Sequence, residues 1–126
     1  MRHTVRLKGV IVGHSELEHC DSNVGRAWGV FRPGLGYELV QPVFRLYARA
    51  VPLGSQTRDR DGLERYYKAR DAMGLELQDG DGRVIATSGI HIADYTVEDG
   101  AHALALDVLI TDPGYWARRA PAPDVQ

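Results

Sequence analysis

The chain is poor in cysteine, lysine and long apolar runs. Cys20 is the only thiol in 126 residues, so no intramolecular disulfide can form and a reducing compartment is the simpler reading. The apolar run Val10-Ile11-Val12, set between Gly9 and Gly13, is too short for a signal-peptide core or a membrane span. No lipidation signal is visible. These absences lead to the expectation of a cytoplasmic protein with no membrane contact. Lysine occurs only at Lys8 and Lys68, against abundant Arg, Gly and Ala, a skew of the kind a GC-rich bacterial genome gives. The net charge of −2 offers no field to attract a polyanion, so nucleic acid is not expected as a partner.

Complete catalytic motifs are absent as well. There is no phosphate-binding G-x-x-x-x-G-K-[ST], no dinucleotide G-x-G-x-x-G and no nucleophile G-x-S-x-G. Asp79-Gly80-Asp81-Gly82 imitates part of a calcium loop, but the first ligand position holds Leu77 and the twelfth Ser88 instead of Glu. The same four residues suit a hairpin turn. Arg58, Arg60, Arg65, Lys68 and Arg70 alternate with Asp59, Asp61, Glu64 and Asp71, so a solvated helix face explains them.

What is present is enough for one domain with its own core: 44% of residues are apolar and 25% charged. Asp61 to Tyr95 is the most legible stretch. Asp59 or Asp61 can cap a helix on which Leu63, Tyr66, Tyr67 and Met73 share a side. Asp61–Arg65 and Glu64–Lys68 are spaced for i,i+4 ion pairs, and Gly74 can close the helix. Leu75 and Leu77 then alternate with polar residues, the turn follows, and Arg83 to Thr87 returns as the partner strand. Ser88-Gly89 predicts a bulge or bend, beyond which Ile90 and Ile92 continue one face.

The flanks read less sharply. Alternation over residues 4–12 predicts one strand, with Val5, Leu7 and Ile11 buried. Residues 13–25 read as a polar loop, with Ser15 and Glu18 spaced as a capping box. A second strand covers 26–32. Residues 37–51 fit helix or strand; Pro42 in a first turn favours a helix over 42–50. Leu104, Leu106, Val108 and Ile110 face one way, and Ala103, Ala105 and Leu109 the other. That predicts a central strand buried on both sides. Asp112-Pro113-Gly114 ends it, Tyr115 and Trp116 pack back, and residues 118–126 read as a frayed tail. The expected fold is a single α+β domain over 1–117: two layers, a mainly antiparallel sheet of about five strands, and one or two helices on one face.

Chemistry-bearing side chains concentrate in His14-Ser15-Glu16-Leu17-Glu18-His19-Cys20-Asp21. Imidazole, thiol and carboxylate can bind zinc or move protons, but two histidines five apart do not share a helix face and no CxxC accompanies them. No metal or cofactor is therefore expected. Cys20 as a nucleophile needs a base from elsewhere in the fold, and His91 and His102 are the candidates. Trp28, Phe31, Tyr37, Tyr47, Tyr66, Tyr67, Tyr115 and Trp116 supply core, and with arginine they are the types that anchor interfaces. Two functions follow as expectations. One is a non-catalytic protein-binding or assembly module of regulatory or inhibitor type, with a protein partner or a second copy. The other is a small enzyme or ligand-binding protein, its site gathering His14, His19, Cys20 and Asp21 with His91 or Asp94.

Overall fold

The protein is described by a computed structural model, whose described residues are 1–119. The chain runs β1 (His3–Leu7), β2 (Val10–Ser15), β3 (His19–Asp21), β4 (Arg26–Val30), β5 (Arg32–Pro33), α1 (Tyr37–Ala50) and α2 (Arg60–Met73). It continues with β6 (Glu76–Gln78), β7 (Val84–Ile85), β8 (Thr87–Asp94), α3 (Thr96–Asp99), β9 (Leu104–Ile110) and α4 (Pro113–Arg118). This is the expected α+β class with antiparallel pairing. The strands divide between two sheets, ordered β5-β2-β1-β6-β7 (sheet A) and β3-β4-β9-β8 (sheet B).

The first strand of the sequence reading is in fact a hairpin. Lys8 (φ 49°) and Gly9 (φ 86°) both adopt the left-handed conformation of a two-residue turn, with Leu7 opposite Val10. A two-residue turn places Leu7 and Val10 on one face and Arg6 and Ile11 on the other, so the parity of the core-facing positions changes across it, which a single alternation over residues 4–12 misses. Ile11 consequently emerges half in solvent, while Val5 and Val12 are buried. The chain also pairs where a loop was expected. β2 runs on to Ser15, and β3 pairs with β4, His19 facing Trp28 and Asp21 facing Arg26. Ser15 does not cap a helix; its Oγ accepts the Leu17 N–H, and the buried Leu17 takes a φ of 45°.

The ambiguous stretch is helical, as the Val40–Phe44–Tyr47 spacing favours, but the helix begins at Tyr37 and runs to Ala50. Pro42 therefore sits inside α1 and not in its first turn. Its missing N–H leaves the Glu38 carbonyl without the usual i+4 donor, and Glu38 is exposed to water. In α2 the left-handed Gly74 (φ 68°) closes the helix as expected, and Tyr66 is its buried aromatic. The two predicted i,i+4 ion pairs do not form; Arg65 approaches Asp59 at 4.0 Å and Arg70 contacts Asp71 at 3.1 Å. The side chains of Arg65 and Asp59 are well exposed to water, where an ion pair gains little and fixes no geometry.

The 79–82 turn closes as expected. Asp79 Oδ1 accepts the N–H groups of Asp81 and Arg83, and these bonds hold its carboxyl below the usual range. After β7 the strand does not end. It bends at Ala86, leaves sheet A and enters sheet B as β8, with a register shift at Ser88. The bulge expected at Ser88-Gly89 thus stands beside the corner where the strand changes sheets.

β9 is central in sheet B, between β4 and β8. Leu104, Leu106, Val108 and Ile110 are buried, but Leu109 on the reverse face is 45% exposed and Ala105 and Asp107 are half-buried. The two-sided burial predicted here is wrong, because no helix covers the middle of that face. Small alanines on a strand resemble a buried face whether or not anything packs on them.

The inner faces of both sheets share one core with α1 and α2, through Val5, Val12, Leu77, Ile85, Ile92, Leu106, Phe44 and Tyr66. Burial of these side chains is the main stabilising term, at about 25 cal/mol per Å². Asp112 caps α4 by accepting from Gly114 N and Tyr115 N, with Pro113 in the first turn. Tyr115 is buried, and Trp116 Nε1 donates to the Ile110 carbonyl. Of the tail read as frayed from residue 118, the first two residues are ordered: Arg118 closes α4 and Arg119 donates to the Tyr115 hydroxyl. Residues 120–126 lie outside the described residues. Among the described residues no helix is long and apolar enough to cross a membrane.

Candidate functional site

The residues singled out in the sequence do not converge. His14 lies on β2 in sheet A, where its Nδ1 is 3.1 Å from the Thr4 hydroxyl. Burial, with Arg2 and Arg6 nearby, lowers its pKa. His19, Cys20 and Asp21 all stand exposed on β3. His19 stacks on Trp28 with ring centroids 5.6 Å apart, and Asp21 accepts the Asn23 N–H in the turn that follows. His91 lies on β8, at the opposite edge of sheet B. Three strand spacings separate the two edges, about 14 Å. Cys20 and His91 therefore do not form a dyad. His102 contacts Asp99 at 3.4 Å in the turn after α3. Among the described residues no three His, Cys, Asp or Glu side chains are placed to hold a metal ion.

Asp94 has a structural task. Its carboxylate is buried where β8 ends and accepts from the Tyr37 hydroxyl (2.6 Å), Gln41 Nε2 (3.0 Å), Thr96 N (3.0 Å) and Thr96 Oγ1 (2.6 Å). Burial alone would raise its pKa, but these bonds outweigh it and hold the carboxyl below its usual value. The residue ties α1 to the end of β8. Arg45 reinforces the joint by donating to the Asp94 carbonyl at 2.7 Å while pairing with Glu98.

Of the candidates, His91 opens into a cleft that gathers tyrosine, arginine and aspartate side chains around a largely buried imidazole. Strand parity puts it on the outer face of sheet B, opposite in direction to Ile90 and Ile92 and directly across from Asp107. α1 and α2 close in from the β8 side, so Phe44, Tyr47 and Tyr66 surround the imidazole, with Tyr47 4.3 Å away between centroids. The cleft measures about 260 Å³ and is lined by Arg26, Tyr47, Tyr67, Arg70, His91 and Asp107, with Gly89 and Leu109. Arg26 holds both Asp107 oxygens, at 2.7 Å from Nη2 and at 3.0 and 3.2 Å from Nε. It also lies 4.2 Å over the Trp28 ring.

His91 Nδ1 lies 2.5 Å from the hydroxyl of the fully buried Tyr66. Burial raises the Tyr66 pKa, so the phenol keeps its proton. Burial pushes His91 down to about 4; Asp107 opposes that shift and Arg70 adds to it. The ring is therefore neutral at physiological pH. A histidine neutral in the fold but near 6.5 when unfolded makes the unfolded chain the better proton acceptor between those values. Stability contributed by neutral His91 is complete above pH 6.5 and falls as pH drops toward 4, by roughly 3 kcal/mol at 1.36 kcal/mol per unit. Urea titrations at pH 7 and pH 4.5 check this. The native chain should lose more stability over that interval than His91→Gln does, and equal losses would refute the assignment.

Sequence reasoning missed Tyr47, Tyr66, Tyr67, Arg70, Arg26 and Asp107 as partners of His91. Two signals were available. The parity of β8 sends His91 away from the isoleucine face, and adjacent Tyr66 and Tyr67 cannot both enter the core of a one-sided helix.

A second feature shares this face. The register of β4 on β9 sets Arg26 beside Leu109, Trp28 beside Asp107 and Val30 beside Ala105. Val30 is 51% exposed, and Leu53, from the loop before α2, is 52% exposed. Together with Trp28, Ala93 and Tyr95 they line a shallow depression of about 410 Å³, rimmed by His19 and His102. Compared with known proteins, the chain matches no family model, no curated protein and no solved structure.

Proposed function

We propose that this chain is a non-catalytic protein-binding module of assembly or regulatory type, acting in the cytoplasm through the outer face of sheet B. The observation that carries the reading is the composition of that face. Val30 and Leu109 lie exposed on adjacent strands around Trp28, with Leu53 alongside, and arginine, histidine and Asp107 surround them. An apolar centre with an aromatic anchor and a charged rim is the anatomy of a recognition surface. The sheet is rigid, so little order has to be imposed on binding. Nucleic acid is disfavoured, because the overall charge is −2 and Arg26 is already neutralised by Asp107.

The test compares the native chain with Val30→Glu, which puts a charge in the middle of the face without touching the core. Affinity capture and light scattering identify a partner or a second copy, and calorimetry with that purified species measures the complex. Loss of about 2 kcal/mol or more of binding in the variant is expected for a central position. A native chain that remains monomeric and captures nothing that the variant fails to capture would defeat the proposal.

A further inference from the structure

We propose that the cleft between α2 and the β8–β9 face binds a planar carboxylate carried on a flat apolar body. The carboxylate is held by Arg70 and the Nε2–H of His91, and the body lies against Tyr47 and Tyr67. This stands on the cleft's own geometry, independently of the binding role assigned to the rest of the face.

Tyr66 is fully buried; among the described residues its hydroxyl has one acceptor within hydrogen-bond distance, His91 Nδ1, while the Arg70 guanidinium approaches it as a donor. If Nδ1 carried the proton and donated it, the phenolic hydrogen would be buried without an acceptor, a substantial penalty. Tyr66 therefore donates to Nδ1. A neutral imidazole has one N–H, so it resides on Nε2. Among the described residues Nε2 has no hydrogen-bond partner, and it is not a buried unsatisfied atom, so it reaches the open cleft. His91 thus offers a donor there instead of a basic lone pair, which suits recognition of an acceptor and not removal of a proton.

Arg70 supplies the charge. Its Nε donates to Asp71 Oδ1 at 3.1 Å and its Nη2 lies 3.1 Å from the same oxygen, which leaves N–H groups of the Nη atoms for a ligand. The guanidinium is held 5.0 Å over the Tyr67 ring and 5.7 Å over the Tyr66 ring, and its side chain is only 17% exposed. Residue 89 is glycine, so no side chain from the strand projects toward the guanidinium; a Cβ there would stand 3.6 Å from Nη2. Asp107 is engaged by Arg26 through both oxygens, and among the described residues no hydrogen bond joins it to Arg70. Arg26 and Arg70 are each paired with a carboxylate, Asp107 and Asp71, so the attraction for an acceptor rests on the N–H groups of Arg70 that stay free. A preset guanidinium fork matches a planar carboxylate. The tyrosine rings and Leu109 provide apolar wall on both sides of that point, and about 260 Å³ accommodates a body of single-ring size.

The experiment is a heteronuclear NMR titration of the full chain, following the His91 ring and the Arg70 Nε–H. Phenylacetate is the free-acid probe, phenylacetamide its uncharged isostere, and the N-acetylated, C-amidated dipeptide Phe-Glu presents the same groups as part of a polypeptide. Phenylacetate should shift both signals and phenylacetamide should not. Arg70→Gln should weaken binding about tenfold, the loss expected for a charge-assisted pair, and Arg70→Lys should lie between, since it keeps charge without the fork. The spectra of the variants outside the cleft report whether they are folded. Tighter binding of the dipeptide than of phenylacetate assigns the cleft to an acidic side chain of a partner. The reverse assigns it to a free small acid, and either order upholds the site. Equal shifts from acid and amide, no shift from any probe, or unchanged affinity in folded Arg70→Gln would overturn it.

Discussion

Replacing Asp94 by alanine should destabilise the fold by about 3–4 kcal/mol. The carboxylate is buried and accepts four hydrogen bonds, from Tyr37, Gln41 and both the N–H and hydroxyl of Thr96. Removing it strands those donors together, and each buried donor without a partner costs about 1–3 kcal/mol. Water entering the vacated space recovers part of the loss, which is why the total stays below the sum. The same residue sets an acid limit. Its pKa is held below the ordinary carboxylate value, so the stability it contributes is complete above about pH 4 and is lost as pH falls through the folded value. Asp94→Asn should therefore be less stable than the native chain at neutral pH and should approach it in acid. Urea denaturation from pH 7 down to pH 2.5 tests both statements. A cost below 1 kcal/mol for Asp94→Ala, or parallel pH curves for the native chain and Asp94→Asn, would remove Asp94 from its place as the joint between α1 and β8.

Leu106→Ala carries the second large effect, about 2–5 kcal/mol. The side chain is fully buried on the inner face of β9, within the core that joins both sheets. Deletion forfeits its transfer free energy and leaves a cavity that the flanking strands cannot close without losing register. Leu109→Ala on the same strand provides the contrast. Leu109 is 45% exposed, so its truncation should cost under about 1 kcal/mol. Similar losses for the two variants would mean that the outer face of sheet B is covered after all. A small loss for Leu109 together with reduced partner binding would identify a residue whose apolar surface serves recognition and not folding.

Much of the fold was legible because its signals are local. The Gly74 stop, the Asp79–Gly82 turn, the Ser88-Gly89 irregularity and the inward face of β9 each depend on a few adjacent residues. The failures have a common cause in pairing decided at a distance. The β1–β2 hairpin changes parity at its two-residue turn, and the continuous apolar run Val10-Ile11-Val12 beyond the turn fits either parity, so alternation could not reveal it. β3 is three residues of His, Cys and Asp, poor strand formers in part, and forms because β4 lies beside it. The candidate site was less legible still. A cluster of eight residues in sequence suggested proximity, but its first residues lie on β2 in sheet A and its last on β3 in sheet B, which distributes those side chains over two sheets. His91 meets Tyr47, Tyr66 and Arg70 only through the packing of two helices against β8, which no spacing in the sequence encodes.

The crossing of the chain between sheets at Ala86 has a bearing on synthesis. Sheet A needs β6 and β7 beside β1, and sheet B needs β8 and β9 beside β4, so each layer joins early and late segments. A nascent chain that has emerged only as far as α2 can close neither layer, and its apolar strands await partners not yet translated. Assembly is thus nearly all-or-none, and the first half of the polypeptide depends on rapid completion of the second to avoid aggregation.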